Sequence, residues 1–146
     1  MSLDSVLQAF ANHHGMDPLE AEEGRYRIVI DDIFVVECFP VSGQVYFYGE
    51  IGLLPSKIDV RESVLKQMLK KNLGLMMSQR SSLCVSQEDK LAVSFRCPLQ
   101  GVTQQSVEGA VAEMVNHLEY FSDMLAVLTS SQNSFASPAL PTMIMP

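Results

Sequence analysis

Apolar residues recur along this chain with two periods, one typical of helices and one typical of strands. Near the start, spacings of three and four place one stripe on a single face of a helix predicted over about residues 2–14. Gly15 ends this helix and Asp17-Pro18 prevents its continuation. A longer stripe, with spacings of four and three from Val107 to Leu128, predicts a last helix of about 22 residues that Thr103 can cap.

Three segments between these helices have the two-residue period of strands. They cover Arg25–Asp31, Ile33–Phe39 and Val45–Leu53, with tight turns predicted at Asp31-Asp32 and at residues 40–43. The second segment is apolar on both faces, which predicts a central strand covered on both sides. Two glycines inside the third segment, Gly49 and Gly52, predict a bend or a bulge.

A further helix and a hairpin follow. Asp59 and Glu62 have the spacing of an N-cap and its partner three residues later, and Gly74 is placed to end the helix after Leu73. Alternating apolar residues over 83–85 and 91–99 then predict two strands joined across residues 86–90.

This element order predicts an α+β domain in which a twisted antiparallel sheet carries three helices, in the order α-β-β-β-α-β-β-α. The length of 146 residues suits one domain, expected over residues 1–129. Residues 130–146 are rich in Ser, Gln, Asn, Ala and Pro, a composition that predicts a disordered tail.

The charge distribution narrows the candidate partners. A net charge of −7 argues against a nucleic-acid-binding role, which normally shows a basic surface. Most of the basic residues nevertheless lie around the central helix, either as a solvated face or as an electrostatic docking edge. They are Lys57, Arg61, Lys66, Lys70, Lys71 and Arg80.

No catalytic, cofactor-binding or metal-binding motif is evident. The three cysteines, Cys38, Cys84 and Cys97, fall in strand-like segments, whereas the three histidines fall in helices, so no nucleophile with a base is expected. Such cysteines are usually reduced and buried. No signal peptide and no apolar stretch near the ~20 residues of a membrane span is evident, so we expect a soluble intracellular protein without membrane insertion.

Two surfaces are expected to bind other chains. The middle helix carries more apolar surface than one sheet face needs, which predicts a homodimer interface with lysines at its rim. This interface comprises Leu65, Met68, Leu69, Leu73 and Met76. An extended segment of another protein is expected to bind beside the first helix and on the first two strands. The residues expected to bind it are Leu3, Val6, Leu7, Phe10, Ile28, Val35 and Phe39.

Three short patterns resemble one known family. Leu54-Pro55, then Leu65…Leu69…Asn72, then Leu83-x-Val85-x5-Leu91-x-Val93, in this element order, resemble the Tir chaperone (CesT) family of type III secretion chaperones. The resemblance covers about residues 2–128, and the turn Gln87-Glu88-Asp89 fits the acidic hairpin of that family.

The resemblance implies a non-enzymatic homodimer in the cytoplasm of a Gram-negative bacterium. Such a protein holds the N-terminal region of a secreted effector in extended form and keeps it competent for export, with the secretion ATPase as a further candidate partner. Two alternatives stay open. One is a ligand-sensing or regulatory α+β domain built around Tyr46, Tyr48 and Glu50, and the other is a small enzyme with a perturbed Cys or His.

Overall fold

The computed structural model describes residues 2–78 and 80–135. Three helices and six strands lie within these ranges. The helices are α1 (Leu3–His13), α2 (Ile58–Ser78) and α3 (Gln104–Phe135). The strands are β1 (Ala21–Glu22), β2 (Arg25–Ile30), β3 (Phe34–Val41), β4 (Gln44–Leu53), β5 (Ser81–Val85) and β6 (Lys90–Pro98).

The six strands form one antiparallel sheet in the order β1-β2-β3-β4-β6-β5. Helices α1 and α3 pack on one face of this sheet, and α2 packs against β5 at its edge. The predicted α+β class and element order are confirmed, with the two-residue β1 as an addition. We call the sheet face turned away from α1 and α3 the outer face. Among the described residues, no helix has both the length and the apolar character that crossing a membrane requires.

Two tight turns follow directly from residue type. Asp31 and Asp32 both have positive φ, 54° and 56°, and the Ile33 N–H donates to the Ile30 carbonyl over 3.1 Å. Ser42 and Gly43 connect β3 to β4 with φ of 49° and 79°. Positive φ at both central positions matches the right-handed twist of the flanking strands, so the turns keep the hairpins in register.

The predicted irregularity in β4 is present and helps to position α3. The register of β4 on β6 shifts between Glu50 and Gly52. A Cβ atom on Gly49 would lie only 2.9 Å from Cδ2 of Leu118, and one on Gly52 would lie 3.1 Å from Cδ2 of Leu125. The two glycines therefore let α3 approach the sheet closely.

Two clusters form the core. The larger lies between the sheet and the helices α1 and α3, and includes Phe10, Phe47 and Met114. The smaller joins α2 to the second half of α3 and includes Met68, Leu91 and Phe121. The stripe predicted on the last helix supplies both clusters, and Thr103 caps that helix as predicted, since its hydroxyl accepts the Ser106 N–H over 3.1 Å.

The predicted bounds of the middle helix are wrong at both ends. The helix begins at Ile58, so Asp59 lies in its first turn instead of capping it. There its negative charge interacts favourably with the positive end of the helix dipole. At the other end, Gly74 does not terminate α2, which continues to Ser78. Gly74 lacks the positive φ of a helix-ending glycine, and Leu75 packs against the smaller core cluster, so burial extends the helix.

Three further expectations need revision. Within the described chain β3 is covered on one face only, because Val36 and Cys38 are buried while Val35 and Phe39 on the outer face are half-buried. Cys84 is exposed, not buried. Helix α3 runs to Phe135, past the predicted domain end at residue 129, and residues 136–146 of the predicted tail lie outside the described part of the chain.

Candidate protein-binding surfaces

A row of large apolar side chains on α2 is open to solvent. Leu69, Leu73 and Met76 follow the helical spacing of four and three, and are 67%, 62% and 62% exposed. We call these three residues the α2 stripe. Of the other two predicted interface residues, Leu65 is half-buried beside the stripe, whereas Met68 lies beneath it in the core at 2% exposure. The structure thus brings the five together, with four of them reaching the surface.

An apolar groove of about 230 Å³ runs between α2 and the edge strand β5. Leu65 and Leu69 line it from the helix, and Leu83 and Val85 from the strand. Oδ1 of Asn72 accepts the backbone N–H of Leu83 over 2.7 Å. This bond occupies an edge donor that would otherwise be open to another strand, and it ties α2 to the sheet.

The basic residues around α2 do not share one role. Arg61 forms a two-pronged ion pair with Asp89 in the β5–β6 turn, which fixes the start of α2 to that hairpin. Lys66 and Lys70 are exposed, and Nζ of Lys71 lies 5.9 Å from the ring centre of Tyr120 on α3. The three lysines therefore lie beside the α2 stripe and are exposed to solvent.

The opposite edge of the sheet is open. Strand β1 pairs only with Arg25 and Tyr26. Within the described chain, residues 27–30 of β2 therefore pair with β3 on one side and have no strand beside them at the sheet edge. Two apolar side chains lie at this edge, Val29 at 42% and Ile33 at 73% exposure. An unpaired edge next to apolar side chains is a surface to which an extended polypeptide can add as a further strand.

The outer face continues from this edge as a shallow groove of about 280 Å³. Val35 lies opposite Val29 in the register, and Arg27, Glu37, Tyr48 and Glu50 complete the lining. Burial raises the pKa of the Tyr48 hydroxyl, with Glu50 adding to the shift, so the side chain is a neutral hydrogen-bonding group at neutral pH.

The residues predicted to bind the extended segment divide into two groups. Leu3, Val6, Leu7, Phe10 and Ile28 are core residues, none more than 8% exposed. Val35 and Phe39 are half-buried on the outer face, where the Phe39 ring stacks on Tyr46 at 5.8 Å between centres. Only Val35 and Phe39 are open to a partner in this conformation.

Val29 and Ile33 at the open edge were not among the residues predicted to bind. The register pairs Ile30 with Phe34, so Asp31, Asp32 and Ile33 form a three-residue connection. Ile33, which was predicted to begin the second strand segment, therefore lies outside the paired strand and is exposed. The two adjacent aspartates indicated a turn at this point, but not that the turn would include Ile33.

Cys38 and Cys97 are poor nucleophiles in this fold. Burial raises the pKa of the Cys38 thiol to about 12, and burial likewise raises that of Cys97. A thiol with a raised pKa is protonated at neutral pH, and the thiolate is the reactive form. The described hydrogen bonds and ion pairs join no cysteine to a histidine.

One cluster of ligand-type side chains was not foreseen. His13 and His14 at the end of α1 meet Glu108 of α3, with ligand atoms all within 4.8 Å of one another. Nε2 of His14 lies 2.8 Å from Oε1 of Glu108, so the pair already forms a hydrogen bond, and both histidines are exposed. The contact fastens the end of α1 to α3.

His117 on α3 is a buried titratable group. It is 9% exposed, and its Nε2 atom is buried without a hydrogen-bond partner in the described chain. Burial lowers the pKa of its imidazole, and nearby Glu113 opposes the shift in part. The folded state therefore disfavours the protonated ring.

We expect stability to fall as the pH decreases below about 6.5, the unperturbed histidine pKa. In that range the unfolded chain binds more protons at this residue than the folded chain. The free energy of unfolding therefore becomes smaller as the pH is lowered. Urea unfolding of wild type and His117→Leu between pH 7.5 and 5.5 measures this, and the variant should lose less stability. His13→Gln, at an exposed site, controls for removal of a histidine. Equal losses in wild type and His117→Leu would contradict the expectation.

A sheet with an open edge, an uncovered face and an exposed apolar helix stripe defines the class of α+β domain that binds other polypeptides. The model of the Tir chaperone protein (CesT) family matches residues 5–122, and the chain belongs to that family. No curated protein matches the sequence.

Solved structures share the fold at low sequence identity. The type III secretion chaperone SycH of Yersinia pestis, in complex with a fragment of YscM2, gives a TM-score of 0.63 at 21% identity, covering 80% of this chain and 97% of the other. The ExoU–SpcU complex from the type III secretion system of Pseudomonas aeruginosa gives 0.61 at 16% identity, covering 84% and 96%. YbjN from E. coli, a candidate transcription regulator, gives 0.52 at 16% identity, covering 92% and 93%.

Proposed function

We propose that this chain is a type III secretion chaperone that binds the N-terminal region of a secreted effector and keeps it competent for export. Membership of the CesT family carries the proposal. The open β2 edge and the outer face support it, since together they offer backbone hydrogen bonds and apolar contacts to an extended chain.

The proposed binding follows from the geometry of the edge. An effector segment adds alongside residues 27–30 of β2, and its side chains reach Val29, Ile33 and Val35. Ordering such a segment costs several kcal/mol, so a tight complex must bury on the order of 1,000–3,000 Å². The segment must therefore extend beyond this edge, for which Phe39 and Tyr46 on the outer face offer further contact.

The same proposal includes no catalysis and a cytoplasmic location in a Gram-negative bacterium. The raised pKa of Cys38 and Cys97 supports the first point, because these two thiols stay protonated at neutral pH and the thiolate is the reactive form. Family membership supports the second. The secretion ATPase is a proposed further partner on the strength of the family alone.

We propose in addition that the chain is a homodimer joined through the α2 stripe. More than half of each of these three side chains is exposed in the single chain. Soluble monomers rarely leave such a contiguous row uncovered, and a two-fold contact covers it with a second copy of itself.

A ligand-sensing domain is the second candidate function. The observation that favours it is the polar lining of the outer groove, where Arg27, Glu37, Tyr48 and Glu50 surround about 280 Å³. A thermal-shift screen of metabolites distinguishes the two functions, because a sensor is stabilised by one compound, and a chaperone is stabilised by its effector segment instead.

Effector binding is tested by co-expression with secreted proteins encoded beside this gene. Wild type should co-purify with the full effector and with its N-terminal fragment, but not with an effector that lacks this fragment. Val35→Asp should bind at least about tenfold more weakly, because it places a charge in the apolar contact (about 1.4 kcal/mol per factor of ten).

Val127→Asp is the matched control, since Val127 is 65% exposed on α3, away from the proposed contact. It should bind like wild type. Phe10→Asp is unsuitable because Phe10 is a core residue. Equal binding by a folded Val35→Asp variant would refute the proposed surface, and failure of every secreted protein to co-purify would refute the function.

A further inference from the structure

Two arginines lie directly opposite each other at the β5 end of the sheet. The register pairs Ser81 with Phe95, which places Arg80 opposite Arg96. The backbone N–H of Arg96 donates to the Arg80 carbonyl over 3.4 Å. Both side chains are exposed on the outer face.

No acidic residue offsets this pair within the described chain. The ion pairs there involve Arg25, Arg61, Lys90, His13 and His14, but neither Arg80 nor Arg96. Like charges directly opposite on neighbouring strands are destabilising. In a chain with ten basic residues and a net charge of −7, two unpaired facing cations are a cost that a bound anion would remove.

The surroundings of the pair favour an oxyanion. A pocket of about 360 Å³ opens between the two arginines and is lined by the hydroxyl-bearing residues Ser82, Ser94 and Tyr46. Ser82 Oγ lies 3.2 Å from Ser94 Oγ across the two strands. The two hydroxyls are therefore adjacent to each other, and they line the same pocket as the guanidinium groups. Guanidinium groups bind carboxylates and phosphates through paired charge-assisted hydrogen bonds, and each hydroxyl group offers one further donor.

The rim of the pocket favours a protein ligand over a small ion. Met76 of α2 forms one wall, so the pocket borders the apolar α2 stripe. On its other side Arg96 pairs with Tyr46, which pairs with Phe39. The Phe39 ring in turn lies 4.2 Å below the guanidinium carbon of Arg25. The pocket therefore ends a row of aromatic and cationic side chains that crosses the outer face.

We propose that Arg80 and Arg96, with the hydroxyls of Ser82 and Ser94, bind an Asp or Glu carboxylate of a protein segment lying across the outer face. The inference rests on the proposed function for the origin of that segment, and it adds a requirement for an acidic residue. The aliphatic stem of the acidic side chain contacts Met76 and Tyr46, and its carboxylate replaces the missing counter-charge between the arginines.

Binding is tested with the ¹⁵N-labelled full chain and two 12-residue peptides on a Gly/Ser background. One has a single glutamate between two leucines, and the other has glutamine in its place. The glutamate peptide should shift the Arg Nε–Hε signals and the Ser82 and Ser94 amides saturably, with an affinity at least about fivefold above that of the glutamine peptide. Arg80→Gln and Arg96→Gln should each remove that preference, and Arg25→Gln should retain it.

Inorganic phosphate forms a separate arm of the titration. If phosphate saturates the same signals at lower concentration than the glutamate peptide, the site binds a free anion and the proposal of a protein carboxylate is overturned. Equal binding of the two peptides overturns it as well.

A measurement without ligand tests the charge argument. In low-salt buffer, Arg80→Gln and Arg96→Gln should melt at or above the wild-type temperature, because each relieves the repulsion. Arg25→Gln should not gain stability, since Arg25 is paired with Glu37 at 3.4 Å. A clear loss of stability in Arg80→Gln would assign that arginine a structural role and overturn the proposal. If wild type shows no preference for the glutamate peptide but still co-purifies with an effector, this inference alone is refuted. If wild type shows the preference but no effector co-purifies, the proposed function is refuted.

Discussion

Replacing Leu69 and Leu73 together with aspartate is expected to convert the protein from a dimer into a monomer of 16.2 kDa. The two side chains are the centre of the α2 stripe, and each is more than 60% exposed in the single chain. A two-fold contact would bring four carboxylates into an apolar interface, where burying unpaired charge is costly. Light scattering at micromolar concentration measures the mass directly.

The control for this experiment is Val41→Asp, which places the same charge at an exposed valine in the strand that precedes the Ser42-Gly43 turn, away from α2. It should leave the mass at twice that of the chain. The double variant should remain folded, since its substitutions replace side chains that the core does not bury. Circular dichroism checks this. A wild-type mass of 16.2 kDa at this concentration would rule out the proposed dimer.

Replacing Gly49 with valine is expected to lower the free energy of unfolding by about 1–3 kcal/mol, the usual cost of overpacking a core. A Cβ at this position already lies 2.9 Å from Leu118 Cδ2, and Leu118 is only 2% exposed, so neither side chain has room to move. Urea denaturation at one fixed protein concentration measures the loss.

A double-mutant cycle with Leu118→Ala identifies the cause. Leu118→Ala alone should cost about 2–5 kcal/mol, and the double variant should cost less than the sum, because the smaller residue makes room for the valine. Gly109→Ala is the matched control, since Gly109 lies in α3 with open space around its Cβ position, and the change should stabilise the helix by up to about 1 kcal/mol. Additive losses in the cycle would contradict the steric explanation.

The burial of the first helix changes where an effector is expected to bind. Helix α1 packs against the sheet through four side chains that are buried in the core and cannot contact a partner: Leu3, Val6, Leu7 and Phe10. The apolar residues left for a partner lie at the β2 edge, on the outer face and on α2. These surfaces are separated across the sheet, so one segment that uses the edge and the arginine pocket must cross all the strands between them.

Most of the fold followed from local physical chemistry. Helical spacing, alternation or, for β3, a short run of apolar residues on both faces predicted every element except β1, since the arrangement of apolar residues reports which sides of an element meet the core. The Asp31-Asp32 turn, the β4 irregularity and the Thr103 cap depend on one or two residues each, so they were readable without knowledge of the rest of the chain.

The predictions that were wrong concern features that depend on contacts between residues far apart in the sequence. Gly74 has the residue type of a helix end, yet Leu75 packs against the smaller core cluster and the helix continues. The outer face of β3 has the apolar pattern of a covered surface, but no described element covers it. A one-dimensional pattern records that a residue is apolar, but it does not record whether the partner that buries it belongs to the same chain.

Four features were readable from the amino-acid sequence: the α+β class, the order of the main elements, the apolar surplus of α2 and the resemblance to the CesT family. Three features became visible only in the folded chain. They are which apolar residues stay exposed, that Arg80 faces Arg96, and that Nε2 of His117 is buried without a hydrogen-bond partner among the described residues. Element type depends on neighbours a few positions away, which the sequence displays. Exposure and charge pairing depend on strand register and helix packing, which join residues far apart in the chain.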